Sequence, residues 1–170
     1  MGDRFELGDV EVFTAGAVGQ PGQRTFFLQA RGAAGTVSVK CEKQQVAALA
    51  EHLQRLLRDL AAPADQPHPS TLEITAPDEA AFVLGPIGVA VDGANDRIVL
   101  QLEEMVATDE EGDPLPGAEE DKGMVRAHLT RGQAKAFADR ALELVAAGRP
   151  LCRWCARPID PDGHACPRMN

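Results

Sequence analysis

The chain has 170 residues, enough for one compact domain or two small halves, and 44 % of them are hydrophobic, which is ordinary for a globular protein. The formal net charge of −9 argues against a generic nucleic-acid surface, because such surfaces are basic. Residues 103–122 hold nine carboxylates against one lysine and carry −8 of that charge. The rest of the chain is therefore nearly neutral, and a surface of mixed charge elsewhere remains an alternative. No apolar run approaches the roughly 18 residues of a membrane span, so no membrane association is predicted.

The first part of the chain predicts strands followed by a helix. Apolar residues alternate over 4–13, 25–31 and 36–41, which is typical of strands packed on one face. A helix is predicted at 43–60, where valine and leucine recur every three or four residues as one apolar stripe. Three prolines within 61–70 prevent this helix from continuing.

A glycine-rich loop is predicted at 16–24, between the first two strands. Backbone amides at Gly19 and Gly22 can hold an anion in such a loop, with Arg24 beside it. The loop lacks the Gly-Lys-Ser/Thr of a phosphate-binding loop, and a strand follows it where that motif requires a helix. A hairpin shaped by its glycines is therefore the favoured interpretation, and the anion site is the alternative.

The second part repeats the order of strands followed by a helix. The second helix begins in a capping box formed by Thr130 and Gln133 and ends at Gly148. The acidic stretch 108–122 is predicted to be a mobile loop, since its carboxylates lack the regular spacing of a calcium-binding EF-hand. Strands are predicted at 72–74, 79–84, 88–92, 97–106 and 125–129.

The two parts of the chain align with each other at an offset of 88 residues. This offset matches Val37 with Val125, Gln45 with Gln133, and Leu49 with Phe137. The α+β fold predicted from it has two β-β-β-α units, at 4–60 and 72–147, which form antiparallel sheet with two helices packed on one side. The alternative is that two amphipathic helices after strands align by pattern alone.

The C-terminal tail, 150–170, carries the clearest chemistry. Cys-x2-Cys places two thiolates on one tight turn, and Pro-Asp-Gly at 161–163 reverses the chain so that a second pair of ligands can meet the first. Four sulfur and nitrogen ligands form the closed tetrahedral set of a structural zinc site. We predict a structural Zn²⁺ in a zinc-knuckle or ribbon-like tail beyond an α+β domain at 1–149, with the ligands Cys152, Cys155, His164 and Cys166.

Disulfides are the alternative use of the four cysteines. Cys41 stands far from the other three, in an alternating strand pattern typical of a buried free cysteine. The sequence begins without the apolar segment of a secretory signal, so we expect a cytoplasmic protein. A reducing compartment favours metal binding over disulfides, and without metal the proline-rich tail is expected to be disordered.

Three classes of function are considered, and the first is a non-enzymatic module that binds a protein partner. Trp154 lies between two ligands and is the candidate anchor, because so small a unit cannot bury it deeply. The alternative is that Trp154 covers the metal site or packs on the second helix.

The second class is single-stranded nucleic-acid binding. The repeated sheet-then-helix layout is similar to that of PUR and Whirly-type binders, which use basic, aromatic-bearing sheet faces. Aromatic residues make up only 4 % of this chain and tyrosine is absent, and the net charge disfavours nucleic acid. Phe26 and Phe27 are adjacent, so one of them should face away from the core, where Arg24, Arg31, Lys40 and Lys43 could join it.

An enzyme is the third class, and it is disfavoured. The only serines are Ser38 and Ser70, one in a predicted strand and one in a linker, and no Ser/His/Asp arrangement is visible. Cys41 with His52 or His128 is the remaining nucleophile and base. Cys41 alternates with valines in its strand, and this pattern predicts that the cysteine lies in the core instead.

Five motifs stand out at 13–16, 19–31, 42–46, 146–150 and 160–168, the last of which is Asp-Pro-Asp-Gly-His-Ala-Cys-Pro-Arg. Together they resemble one actinobacterial conserved hypothetical family, the domain of unknown function thirty-ninety. The resemblance spans nearly the whole chain and implies a cytoplasmic protein with a zinc-ribbon-like end, but no activity. Arg153 and Ala156 replace the proline and glycine more usual around such a Cys-x2-Cys knuckle.

Overall fold

The computed structural model describes residues 2–118, 121–159 and 162–169. Within these residues neither α-helix has the length and apolar character needed to cross a bilayer. A short 3₁₀ helix spans Pro69–Leu72. The other elements of the described chain are β1 (Arg4–Asp9), β2 (Val12–Val18), β3 (Thr25–Gly32), β4 (Gly35–Cys41), α1 (Lys43–Arg58), β5 (Leu84–Asp92), β6 (Arg97–Glu104), β7 (Met124–Leu129) and α2 (Arg131–Ala146).

The strands form two sheets, and the predicted α+β class with two helices is confirmed. One sheet has the antiparallel order β2-β3-β4, and the other has the order β1-β7-β6-β5. The predicted strand at 4–13 is divided in two, because the amide of Val10 donates to His128 in one sheet and the amide of Glu11 donates to Arg31 in the other. In contrast to the purely antiparallel expectation, β1 pairs with β7 in parallel.

Two β-β-β-α units are present, β2-β3-β4-α1 and β5-β6-β7-α2, as the offset of 88 residues predicts. Gln45 and Gln133 occupy the same position in both helices, and each accepts a hydrogen bond of 2.9 Å from the amide of the N-cap residue. The side-chain amide of Gln45 also donates to the carbonyls of Leu84 and Gly85. That of Gln133 donates to the carbonyls of Val10 and Glu11.

Each unit also receives a parallel strand segment from the other unit. Strand β1 pairs with β7, and the short stretch before β5 pairs with β4, where Lys40 and Val83 form a parallel bridge. Lys40 and His128 are equivalent positions at the predicted offset. In these exchanged contacts the amide of Lys40 donates to the carbonyl of Phe82, and the carbonyl of His128 accepts from the amide of Val10. The two units therefore share matching contacts in the structure as well as a matching sequence pattern. Two amphipathic helices that aligned by pattern alone would not produce these contacts.

Helix α2 lies in the core, against β2 and α1. Its small residues are almost fully buried and allow the helix to approach its neighbours closely. Phe137 is the large exception, with its ring centroid 4.8 Å from that of Phe13 on β2. An added Cβ at Gly132 would lie 1.8 Å from the carbonyl oxygen of Asp65, so the connector 61–68 lies directly on the start of α2.

Residues 71–75 cross the outer face of the β2-β3-β4 sheet. Gln29 donates to the carbonyl of Thr75 and accepts from its amide, with distances of 2.8 and 3.1 Å. Thr14 donates to the carbonyl of Leu72, and Ile74 fills the space above Gly16. The predicted strand at 72–74 is wrong, because the backbone here bonds to side chains of the sheet face and not to a neighbouring strand.

The acidic stretch between β6 and β7 forms turns in its described part. Thr108 and Pro114 form an isolated antiparallel bridge. The carboxylate of Asp109 accepts hydrogen bonds of 2.9 Å from the amides of Glu111 and Asp113. Residues 119 and 120 lie outside the described residues, and the mobility of the stretch stays a prediction.

Candidate metal centre

All four predicted ligands meet at the end of the chain. The ligand atoms of Cys152, Cys155, His164 and Cys166 lie within 4.8 Å of one another. The Cys152 and Cys166 sulfurs are 3.9 Å apart, and the Cys155 sulfur is 3.3 Å from Nε2 of His164. A disulfide requires about 2.05 Å between sulfurs, and all four cysteines of the chain are free thiols.

A short hairpin places the first two ligands. Leu151 and Pro158 form an antiparallel bridge, and the amide of Cys152 donates to the carbonyl of Arg157 over 2.8 Å. The amide of Ala156 donates back to Cys152, which closes the turn of the Cys-x2-Cys motif. The predicted Pro-Asp-Gly turn includes residue 161, which lies outside the described residues.

Backbone amides surround the Cys152 sulfur. The amide of Trp154 lies 3.4 Å from it. Hydrogen bonding from the amides of Cys155 and then Trp154 lowers the pKa of the Cys152 thiol below its usual value. A lowered pKa favours the thiolate, which is the form of cysteine that binds metal.

The spacing of the ligand atoms fits a four-coordinate ion. An ion with metal–sulfur bonds of about 2.3 Å and metal–nitrogen bonds of about 2.0–2.1 Å sets tetrahedral sulfur–sulfur and sulfur–nitrogen edges of roughly 3.8 and 3.6 Å. The observed sulfur–sulfur distance of 3.9 Å and sulfur–nitrogen distance of 3.3 Å lie within about 0.3 Å of these edges. The cluster can therefore hold a metal ion, and four protein ligands fill a tetrahedral set.

Ala156 adopts a backbone conformation that favours glycine. Its φ is +57°, in the left-handed region, where a Cβ costs about 1–2 kcal/mol. We expect Ala156→Gly to tighten metal binding about two- to fivefold, because the removed strain exceeds the added flexibility of the apo chain. Competition with a chelator measures this. Ala165→Gly, in the same tail at a residue without positive φ, should bind metal no more tightly than the wild type.

Cys41 does not have the properties of a nucleophile. It ends β4 in the hydrophobic core, and burial raises the pKa of its thiol to about 12, so the thiol stays protonated at neutral pH. His52 is exposed on α1, and His128 lies on the outer sheet face beside Gln101 and Arg126. The described structure gives the Cys41 hypothesis no support.

Trp154 is 51 % exposed, and the guanidinium carbon of Arg153 lies 5.1 Å from the centre of its ring. About half of the Trp154 side chain is therefore accessible to solvent, and its role as a partner anchor stays a prediction.

Two of the three residues named for an anion site in the glycine-rich loop line one cavity. Gly22 and Arg24 line a cavity of about 290 Å³, and Gly19 is not among its lining residues. Lys43 and Arg149 also line the cavity. The sequence predicts Lys43 in a candidate basic patch with Arg24, but it gives Arg149 no role, because Arg149 lies far from the loop in the chain.

The fold and the cluster define an α+β protein whose C-terminal end carries a Cys₃His cluster that can hold a metal ion. The chain belongs to the family described as "Protein of unknown function (DUF3090)", whose model matches residues 5–166. The family resemblance of the sequence motifs is thereby confirmed. Comparison with curated proteins and with solved structures gives no match.

Proposed function

We propose that the cluster holds Zn²⁺ and that this ion is structural. Three sulfurs and one imidazole are a soft, closed ligand set, which suits zinc and leaves no open position for a substrate. A tail of about twenty residues has too little core to fold alone, so metal binding supplies its folding free energy.

We further propose that the zinc-bound tail is a non-enzymatic module for binding a protein partner. The observation that carries this proposal is the exposure of Trp154 beside a rigid metal cluster. Leu151 and Met169, in the same tail, are 64 % and 70 % exposed. Large apolar side chains held on a fixed scaffold are typical interface anchors, because little conformational freedom is lost on binding.

The charge around Trp154 indicates the partner's chemistry. Arg153 lies over the indole ring, and Arg157 and Arg168 are exposed in the same tail. A partner that suits this surface offers an apolar pocket with carboxylates at its rim. We propose a cytoplasmic setting, since reducing conditions keep the three thiolates available for metal.

The test compares the wild type with three variants, first as bait in a lysate of the cells that produce the protein and then with the purified partner. Trp154→Ala is expected to weaken binding about 30-fold or more while the metal content stays unchanged, since truncating a hot-spot tryptophan costs about 2 kcal/mol or more. Val91→Ala removes another exposed apolar side chain, on β5, and should bind like the wild type. Equal binding by wild type, Trp154→Ala and Cys152→Ser would reject the module.

Nucleic-acid binding through a sheet face is the less supported alternative. Phe27 is half-buried on the outer face of β3, where Lys40 is its neighbour on β4. Residues 71–75 cross this face, and the guanidinium of Arg31 donates to their carbonyls. The crossing segment therefore competes with a nucleic acid for the basic patch that the sequence suggested.

A further inference from the structure

The outer face of the β1-β7-β6-β5 sheet carries a trough of about 450 Å³. This face lies opposite the core, because Ile98, Leu100 and Leu102 of β6 point the other way and are buried. An added Cβ at Gly88 would meet only Gln101, at 3.5 Å or more, so no other described part of the chain lies over this point. The outer-face residues that line the trough are Gly88 and Ala90 of β5, Val99 and Gln101 of β6, and Arg126 and His128 of β7.

Strand pairing makes this face equivalent to the outer face of the β2-β3-β4 sheet. Gln29 on β3 pairs with Ser38 on β4. Gln101 on β6 likewise pairs with Arg126 on β7. Ser38 and Arg126 are separated by the offset of 88 residues, so Gln29 and Gln101 occupy the same position in the two units. On the first sheet this position holds a segment of the chain's own, residues 71–75.

The trough lies where the first sheet accommodates the side chain of Ile74. Gly16 on β2 stands two residues after the strand partner of Gln29. Ala90 on β5 stands two residues after the strand partner of Gln101, so it is the equivalent of Gly16. An added Cβ at Gly16 would lie 2.5 Å from the side chain of Ile74, which fills the space that the glycine leaves. On the second sheet the corresponding space is the trough.

The side chain of Gln101 can hold a peptide backbone as that of Gln29 does. Gln29 donates to the carbonyl of Thr75 over 2.8 Å and accepts from its amide over 3.1 Å. Gln101 donates to Glu103 over 2.5 Å and accepts from Arg126 over 2.9 Å. A side-chain amide has two N–H groups and two acceptor sites, so the bonds of Gln101 to the described residues leave one of each for a backbone carbonyl and amide.

The segment that would cover this trough by repetition has another role. At the offset of 88 residues, 71–75 correspond to 159–163. The latter residues connect Cys155 to His164, so they serve the metal cluster. An occupant of the same kind would have to come from another chain.

The charges beside the trough favour an acidic segment. Among the described lining residues Asp92 is the only carboxylate, and it already accepts from the amides of Ala94 and Asn95. Arg126 pairs with Glu6 over 3.2 Å, and its guanidinium has further N–H groups. A carboxylate on the occupant would therefore find a cationic partner and no uncommitted anion of the trough against it.

We propose that the trough binds an extended acidic segment of a protein partner, which crosses this sheet as residues 71–75 cross the other. A branched apolar side chain of the segment fills the space over Gly88 and Ala90. The backbone of the segment pairs with Gln101, and a neighbouring carboxylate pairs with Arg126. The trough lies in the α+β domain, so this surface is independent of the one proposed for the tail.

The test titrates the full-length protein with a synthetic peptide that has the sequence of residues 70–76 and is capped at both ends. This peptide carries the leucine, glutamate and isoleucine of the crossing segment. Amide NMR signals of residues 88–90, 99–101 and 126–128 are expected to shift and to saturate at roughly millimolar peptide. Peptides with serine in place of isoleucine, or glutamine in place of glutamate, should bind more weakly.

Two variants remove the features that hold the segment. Gly88→Val fills the trough with a residue that suits a strand, and Gln101→Met keeps the length of the side chain but removes both hydrogen-bonding groups. Each should weaken binding of the peptide about tenfold. Gly32→Val adds the same side chain at a glycine of β3 with open space around it and should bind like the wild type.

Saturating shifts at the trough that both variants weaken support the proposal, and Trp154→Ala should leave them unchanged. Shifts that do not saturate, or that are as large in Gly88→Val as in the wild type, overturn it. A wild type that sediments as a dimer, with Gly88→Val a monomer, also overturns it, because the face is then an interface between two copies of the chain. Amide spectra with native dispersion confirm that each variant is folded, so a loss of binding cannot be attributed to unfolding.

Discussion

Cys152→Ser is expected to release the metal ion and unfold residues 150–169 while the α+β domain stays folded. Cys152 is the buried member of the Cys-x2-Cys pair, and the hairpin closes around it through its own amide and carbonyl. Structural zinc contributes about 10–16 kcal/mol of apparent binding free energy in small metal-dependent domains, and this free energy is also their folding free energy. A tail with so few buried apolar residues has no comparable source of stability.

Native mass spectrometry and amide NMR measure this result. The wild type should carry one metal ion per chain, and Cys152→Ser should carry substantially less than one after dialysis. The signals of 150–169 should collapse to the narrow range of a disordered chain, while those of β6 and α2 keep their positions. Addition of a strong chelator to the wild type should reproduce the same selective loss.

Histidine variants supply the matched control for this experiment. His164→Asn removes the nitrogen ligand and should lose metal like Cys152→Ser. His52→Asn makes the same substitution at an exposed position on α1 and should keep one ion per chain. Retention of a full metal equivalent by both ligand variants, or a wild type that is purified without metal and still has an ordered tail, would contradict the structural metal site.

The Cys₃His cluster could be predicted from the sequence because its signal is local. Two cysteines with two residues between them must share one turn, and a histidine and a cysteine with one residue between them can return to it after a single reversal. The helices were equally accessible, since their apolar stripes repeat at the helical period. Gln45 and Gln133 are among the residues that match at the offset of 88, and in the structure each accepts a hydrogen bond from the N-cap amide of its helix.

Other features depend on contacts that no window of sequence contains. Strand β1 pairs with β7, which lies more than a hundred positions away in the chain. The alternating pattern of β1 would suit either sheet, so it does not reveal the partner strand. Residues 71–75 have the composition of a strand, but Gln29 and Thr14 offer hydrogen bonds that replace a strand partner. The cavity beside the glycine-rich loop likewise brings Arg24, Lys43 and Arg149 together only after folding.

Phe137→Ala is expected to lower the free energy of unfolding of the α+β domain by about 3–5 kcal/mol, the range for a buried phenylalanine. Phe137 is 0 % exposed and its ring lies against that of Phe13. Its neighbours on the same helix are mostly alanines, which cannot extend into the space that the ring would leave. The helix is also fixed at its start, where Gly132 contacts the connector, so it cannot move inward to close the cavity.

Phe27→Ala is the matched control, because it makes the same truncation at a half-buried position on β3. It should cost about 1–2 kcal/mol, since less apolar area is returned to water and no enclosed cavity forms. Urea unfolding followed by far-UV circular dichroism measures both variants. The metal content of Phe137→Ala should equal that of the wild type, because the tail is stabilised by its own ligands. A loss below about 1.5 kcal/mol, or equal losses in the two variants, would mean that α2 does not form the centre of the core as described.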